Sequence, residues 1–124
     1  MSAVTTAAAA AAAEDVRVAA VAAEEELRKE EKPQADEAAC RALAADHYAF
    51  GAAVEKCRQL ESYDDVNFYM RAAGGGEYIF KIHNGVESDN PEFLEGMQAL
   101  LLHMRAHGIV APYPVDSTAG EWFV

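Results

Sequence analysis

The sequence predicts an α+β domain: an antiparallel sheet of about four or five strands, one long helix across it, a helix ahead of it, and a low-complexity tail at the front. Three observations carry that expectation. Apolar residues alternate in "VNFYMRAA" and in "EYIFKIHN", and "GGG" separates the two runs, which is the pattern of a β-hairpin. "SDNPEFLEGMQALLLHMRAHG" has the 3.6-residue period of an amphipathic helix. The stretch from the Ala run to "AAEEELRKEEKP" has almost no large apolar side chain and so cannot build a core.

In chain order, residues 1–33 are rich in Ala, Glu, Lys and Arg, all strong helix formers, and Glu25 stands four before Lys29 as an ion pair. A disordered or solvated, partly helical tail with no function of its own is expected. After Pro33, "QADEAACRALAADHYAFG" places Ala39, Leu43, Asp46 or His47, and Phe50 at helical spacing, with Gly51 as the stop. "AAVEKCRQLES" reads as a weak strand with Val54, Lys56, Arg58 and Leu60 on one face and Glu55, Cys57 and Gln59 on the other. The hairpin follows. The next helix opens with Asn90 as N-cap, Pro91 at its first position and Glu92 favouring the dipole, and it closes at Gly108. Its stripe of Phe93, Met97, Leu100, Leu101 and Met104 is expected to lie on the sheet. "IVAPYPV" reads as a short extended strand, "DSTAG" as a turn and "EWFV" as the start of another strand.

With 124 residues and a formal net charge of −11, the chain holds one domain at most and repels polyanions at long range. Nucleic acid and anionic membrane are excluded as partners held by bulk charge, so any anion site has to be local. Cys40 and Cys57 lie outside any CxxC pattern and read as free thiols in a reducing compartment. No apolar run is long enough to span a membrane. The start has no basic n-region, and Glu14 and Asp15 precede the first basic residue, so a cytoplasmic location is expected.

One residue stands out. On "EYIFKIHN", Tyr78, Phe80 and Ile82 share one face, while Glu77, Ile79, Lys81 and His83 share the other. A lysine in an apolar strand either faces water or is aimed at an anion. The order helix, strand, strand, strand with a central Lys, helix is that of the smaller lobe of the protein-kinase-like architecture. The runs "DHYAFGAAVEKCRQLESYDDVNFYM", "GGEYIFKIHN", "NPEFLEGMQALLLHMRAHGI" and "GEWFV" resemble that N-terminal lobe in the aminoglycoside phosphotransferase-like small-molecule kinases, over residues 34–124.

The resemblance implies transfer of the γ-phosphate of GTP or ATP, with Mg²⁺, to a hydroxyl of a small amine-bearing substrate. Carried over by position, Lys81 would bind the α/β-phosphates, Ser62 and Asn67 would sit in the turn covering the phosphates, and Ile79 would line the base. Glu95, chosen over Glu92, would orient Lys81 from the next helix, although neither lies on that helix's apolar stripe. Asp64 and Asp65 match the family run but read as turn-formers. The loop "LESYDDVNF" departs from a glycine-rich GxGxxG, and none of the four His is followed two residues later by Asp. The catalytic loop and metal ligands would therefore lie in a larger lobe beyond the hinge, and no catalytic residue is assigned here. The nucleotide-side lobe alone is expected to be inactive.

Simpler readings stand beside these. His103 and His107 have a zinc-compatible spacing but no further ligand to complete a set. Asp64 and Asp65 as a metal pair, and "GGG" as a phosphate cradle, are the weaker alternatives to turns. Tyr48, Phe50, Tyr69, Tyr78 and Phe80 read as packing for the sheet, and Trp122 and Phe123 as exposed and prone to self-association. The competing class is a non-catalytic binding or interaction module.

Overall fold

The computed structural model describes residues 3–124, with side chains from residue 7 onward. Helix α1 spans Ala3–Glu30 and α2 spans Glu37–His47. A 3₁₀ turn at Gly51–Ala53 leads into β1, Val54–Leu60, then β2, Val66–Ala72, and β3, Glu77–Ile82. The short α3, Gly85–Ser88, and the longer α4, Pro91–Ala106, follow. The architecture is α+β, and the sheet is antiparallel in the order β1-β2-β3.

Local chemistry explains most element ends. The Asp36 carboxylate accepts from the Ala39 amide at 2.8 Å, capping α2. Between β2 and β3, Gly75 takes a φ of +87°, which the tight turn demands, and the Ala72 amide bonds the Gly76 carbonyl at 2.9 Å. Asn90 caps α4 through the Phe93 amide, with Pro91 at the first turn. At the other end the Gly108 amide donates to Arg105 and the Ile109 amide to Met104, with Gly108 at φ +74°. That is a Schellman closure, and it satisfies carbonyls that the helix leaves over.

The core is small and belongs to α2. Cys40 and Ala44 of α2 pack on Val66, Phe68 and Met70 of β2, with Phe50, Tyr78, Phe80 and Ile82 around them. Phe50 stacks on Tyr78 at 3.8 Å between ring centroids, and Tyr48 meets Phe80 edge-on. Tyr69, also expected to pack on the sheet, lies on its opposite face beneath the Arg58 guanidinium. Both cysteines are free, and burial pushes the Cys40 thiol up to about 11, with Cys57 and Asp36 adding to it.

Five expectations are corrected. The sheet has three strands rather than four or five: among the described residues, neither "IVAPYPV" nor "EWFV" pairs. Pro112 and Pro114 remove two ladder donors from the first run. A turn holds the second: the Ser117 amide bonds the Glu121 carbonyl and the Thr118 amide bonds His47. Next, α2 rather than the long helix covers the sheet; α4 packs on α3, and its Phe93 and Leu100 stay exposed while Leu94 is buried. Helix α2 ends at His47, and Gly51 instead lets the 3₁₀ turn lie against the backbone of Ala44. A bulge between Val54 and Lys56 lets both Val54 and Cys57 turn toward the core, against the strict alternation expected of β1. Finally, Lys29 pairs with Glu26 at 2.6 Å instead of with Glu25, on an α1 that is the exposed helix allowed for in the tail. Among the described residues, no helix is long and apolar enough to cross a membrane.

Candidate functional site

With Val66, Phe68, Met70 and Ala72 turned inward, the alternate residues of the sheet form an outer face of three cross-strand rows. Lys56, Arg71 and Glu77 make one, Arg58, Tyr69 and Ile79 the next, and Leu60, Asn67 and Lys81 the third. Four of the chain's ten Lys and Arg therefore gather on one surface of a protein whose net charge is −11. Glu77 is occupied by the Tyr69 hydroxyl, which donates to it at 2.7 Å. Among the described residues no carboxylate bridges Lys56, Arg58 or Arg71. Lys56 and Arg71 stand directly opposite each other, an arrangement that costs energy unless an anion relieves it.

Lys81 is seated by Asp65. Its ammonium lies 2.7 Å from Asp65 Oδ2, and the other carboxylate oxygen accepts from the Asn84 amide at 2.9 Å. Burial alone would push the Asp65 carboxyl up, but the Lys81 ammonium and the Asn84 amide outweigh it and hold the group below the usual carboxylate range. The turn between β1 and β2 is closed from within, because the Ser62 hydroxyl donates to the Asp65 carbonyl. Across the strand from Lys81, Asn67 Oδ1 is buried without a hydrogen-bond partner.

Asn84, fully buried, ties this corner together. Its amide donates to the Arg28 carbonyl at 2.8 Å and to the Asp64 carbonyl at 3.1 Å, and its oxygen accepts from the Val86 amide at 3.0 Å. Asp65, His83 and Glu87 bring donor atoms within 4.8 Å of one another. Lys81 already neutralises the first carboxylate and Arg28 the last.

The residues singled out from sequence divide accordingly. Lys81, Asn67 and Ile79 share the outer sheet face, and Ser62 lies in the turn at its end. Glu95 does not join them: it is exposed on α4, and Lys81 pairs with Asp65 in its place. Asp64 and Asp65 close the turn as expected, but both also carry ion pairs. Two residues escaped the sequence reading. Asn84 stood in an Asn-Gly pair after a strand, which signals a turn without saying what the amide binds. Arg28 lay in a stretch that seemed merely solvated.

Beyond this geometry, the chain as a whole has relatives among known sequences. Over 93 residues, 75% of this chain, the identity to hydroxylysine kinase of Danio rerio is 29%. The chain is similar to hydroxylysine kinases. The Mus musculus hydroxylysine kinase is 36% identical over 84 residues and that of Xenopus laevis 32% over 77, covering 62% and 58% of this chain. Those alignments take in 26%, 22% and 21% of the respective kinases, so the chain spans about a quarter of their length. Hydroxylysine kinase is also the small-molecule kinase that the runs quoted from the sequence resemble. No protein-family model matches the chain, and no solved structure does.

The Asp65–Lys81 pair has a pH signature. Because the folded carboxyl is depressed, its contribution to stability is full above the ordinary Asp value of about 3.9 and is lost as pH falls through the folded value. With the Lys81 side chain 36% exposed, solvent reduces the pair to about 1 kcal/mol. Urea midpoints between pH 2 and 7 are expected to show an acid loss in the wild type that Asp65→Asn lacks. Parallel profiles would mean that the pair contributes nothing.

Proposed function

We propose that residues 34–124 are the nucleotide-side lobe of a hydroxylysine-kinase-type enzyme. The observation that carries this reading is Lys81, held by Asp65 on a solvent-facing sheet face amid three further cations and beside an orphaned Asn67 oxygen. A phosphate chain needs positive charge on a rigid element, and an ammonium fixed on a strand supplies it. Asp65 takes the part of the carboxylate that orients the lysine, the role the sequence had given to Glu95. Asn67 Oδ1 accepts a donor from the ligand, and the exposed Ile79 with Tyr69 offers an apolar and aromatic bed for a base. The donor in this reading is GTP or ATP, and the acceptor is the hydroxyl of 5-hydroxy-L-lysine or a related small amino compound. The Mg²⁺ ligands and the group that activates the acceptor come from outside this stretch, since Asp64 and Asp65 are engaged by Arg28 and Lys81. The lobe alone binds nucleotide without turning it over.

Titration with fluorescent GTP and ATP analogues tests this. Lys81→Ala is expected to weaken binding about tenfold or more, as loss of a charge-assisted contact does. Equal affinity in Lys81→Ala and wild type would remove the basis for the reading. A second reading, a non-catalytic interaction module, is favoured by the exposed Phe93, Leu100, Leu102, Ile109 and Val110. Self-association together with indifference to nucleotide would select it.

A further inference from the structure

Residues 28–32 end α1 and open the linker after it, and they are bound to the site in two chemically different ways. The first is ionic: Arg28 Nη1 reaches Asp64 at 3.1 Å and Glu87 at 3.2 Å, joining the β1–β2 turn to α3, while Glu24 holds the same guanidinium from behind. Lys32 Nζ crosses the turn itself, donating to the Tyr63 carbonyl at 3.0 Å. The second kind is backbone capping. The last carbonyls of a helix have no partner within it. Here the Arg28 carbonyl is satisfied by the Asn84 side-chain amide at 2.8 Å, and the Glu31 carbonyl by the Gly85 backbone amide at 3.1 Å. The approach is close enough that a Cβ on Gly85 would collide with the Glu31 side chain.

We propose that residues 28–32 act as a strap: by seating the β1–β2 turn and Asn84, they hold the Asp65 carboxylate against Lys81. Arg28 and Lys32 are positioning residues, acting on Lys81 through the turn. The strap depends on the last turn of α1 staying helical, because only then do the Arg28 and Glu31 carbonyls project toward α3. The rest of α1 is solvent-exposed along its described side chains, so that helix gains little from packing and its folding is easily shifted. The strap thus makes the state of the tail a control on the lysine. The inference deepens the nucleotide reading, which depends on Lys81, but it is decided without nucleotide.

The Gly85 amide reports whether the strap is docked, and the Asn84 amide, bonded to Asp65 Oδ1, reports whether Asp65 is seated. Amide exchange by NMR on the full chain is to be compared for wild type, Arg28→Ala/Lys32→Ala and Arg17→Ala, which removes a cation from α1 away from the strap. The expected result is exchange about tenfold faster at both Gly85 and Asn84 in the first variant only, with Phe68 and Met70 unchanged, as in local opening. Unchanged exchange at Asn84, whatever Gly85 does, overturns the proposal. Should the core amides lose protection too, Arg28→Lys decides, keeping the charge but not the planar group that spans Glu24 on one side and Asp64 with Glu87 on the other. Exchange at Asn84 about threefold faster supports the strap, and no change overturns it. If the wild type binds no nucleotide, the functional reading fails while these exchange results still stand.

Discussion

Gly51→Ala is expected to destabilise the domain by about 3 kcal/mol, a large share of what a domain this size has to lose. A Cβ at position 51 would run into the carbonyl of Ala44 and the amide of Ala45. Neither can yield: Ala44 is fully buried in the core, and its carbonyl accepts the Tyr48 amide that ends α2. The substitution therefore has to lever α2 off β2, in the one layer that covers the sheet. Gly96→Ala is the matched contrast. Nothing lies near a Cβ there, the residue is exposed within α4, and the exchange is expected to stabilise by about 0.5–1 kcal/mol. Denaturant titrations of both variants check the pair, and a Gly51→Ala midpoint equal to or above that of the wild type would mean that the close approach at Gly51 has been misjudged.

Asn84→Ala is expected to cost about 2–4 kcal/mol, because it strands several buried polar groups at once. The Arg28 and Asp64 carbonyls lose their donor and the Val86 amide loses its acceptor, at a site closed to water. Asn84→Asp separates the contributions, since it can still accept from Val86 but has no amide hydrogen for the two carbonyls. It is expected to fare no better than Ala, as a carboxylate there would face two carbonyl oxygens. Urea midpoints within about 0.5 kcal/mol of wild type would mean that the amide is dispensable.

What could be read from the sequence was whatever local chemistry decides. Asn90 with Pro91, Gly108 and the glycine turn each act over three or four residues, and those element ends fall where these groups place them. What could not be read depends on partners distant in the chain. The expected cover for the sheet was α4, because its stripe is large and apolar. Yet the small Cys40, Ala44 and Gly51 allow α2 and its turn a closer fit, and no period in the sequence expresses that preference. The bulge in β1 is equally silent. At the site, Lys81 and Ile79 were legible as residues of one strand face, because alternation fixes them, whereas Asn67, expected in the turn covering the phosphates, lies in β2 opposite Lys81. The partner of Lys81 was not legible: Asp65 reaches it only once the turn is folded back and pinned by Asn84 and Arg28, across gaps of 19 and 56 residues.

The gathering of Lys56, Arg58, Arg71 and Lys81 on one sheet face bears on how fast an anion arrives as well as how firmly it is held. In dilute buffer, where the screening length is about 30 Å, the visitor first meets the field of the whole chain, which is negative, and only close to the sheet face does it meet the cations. Added salt screens the outer repulsion first and the short inner contacts least. Under the nucleotide reading, anion capture at this face is therefore expected to quicken as dilute buffer is brought toward physiological ionic strength, the reverse of the behaviour of proteins that draw polyanions in from afar.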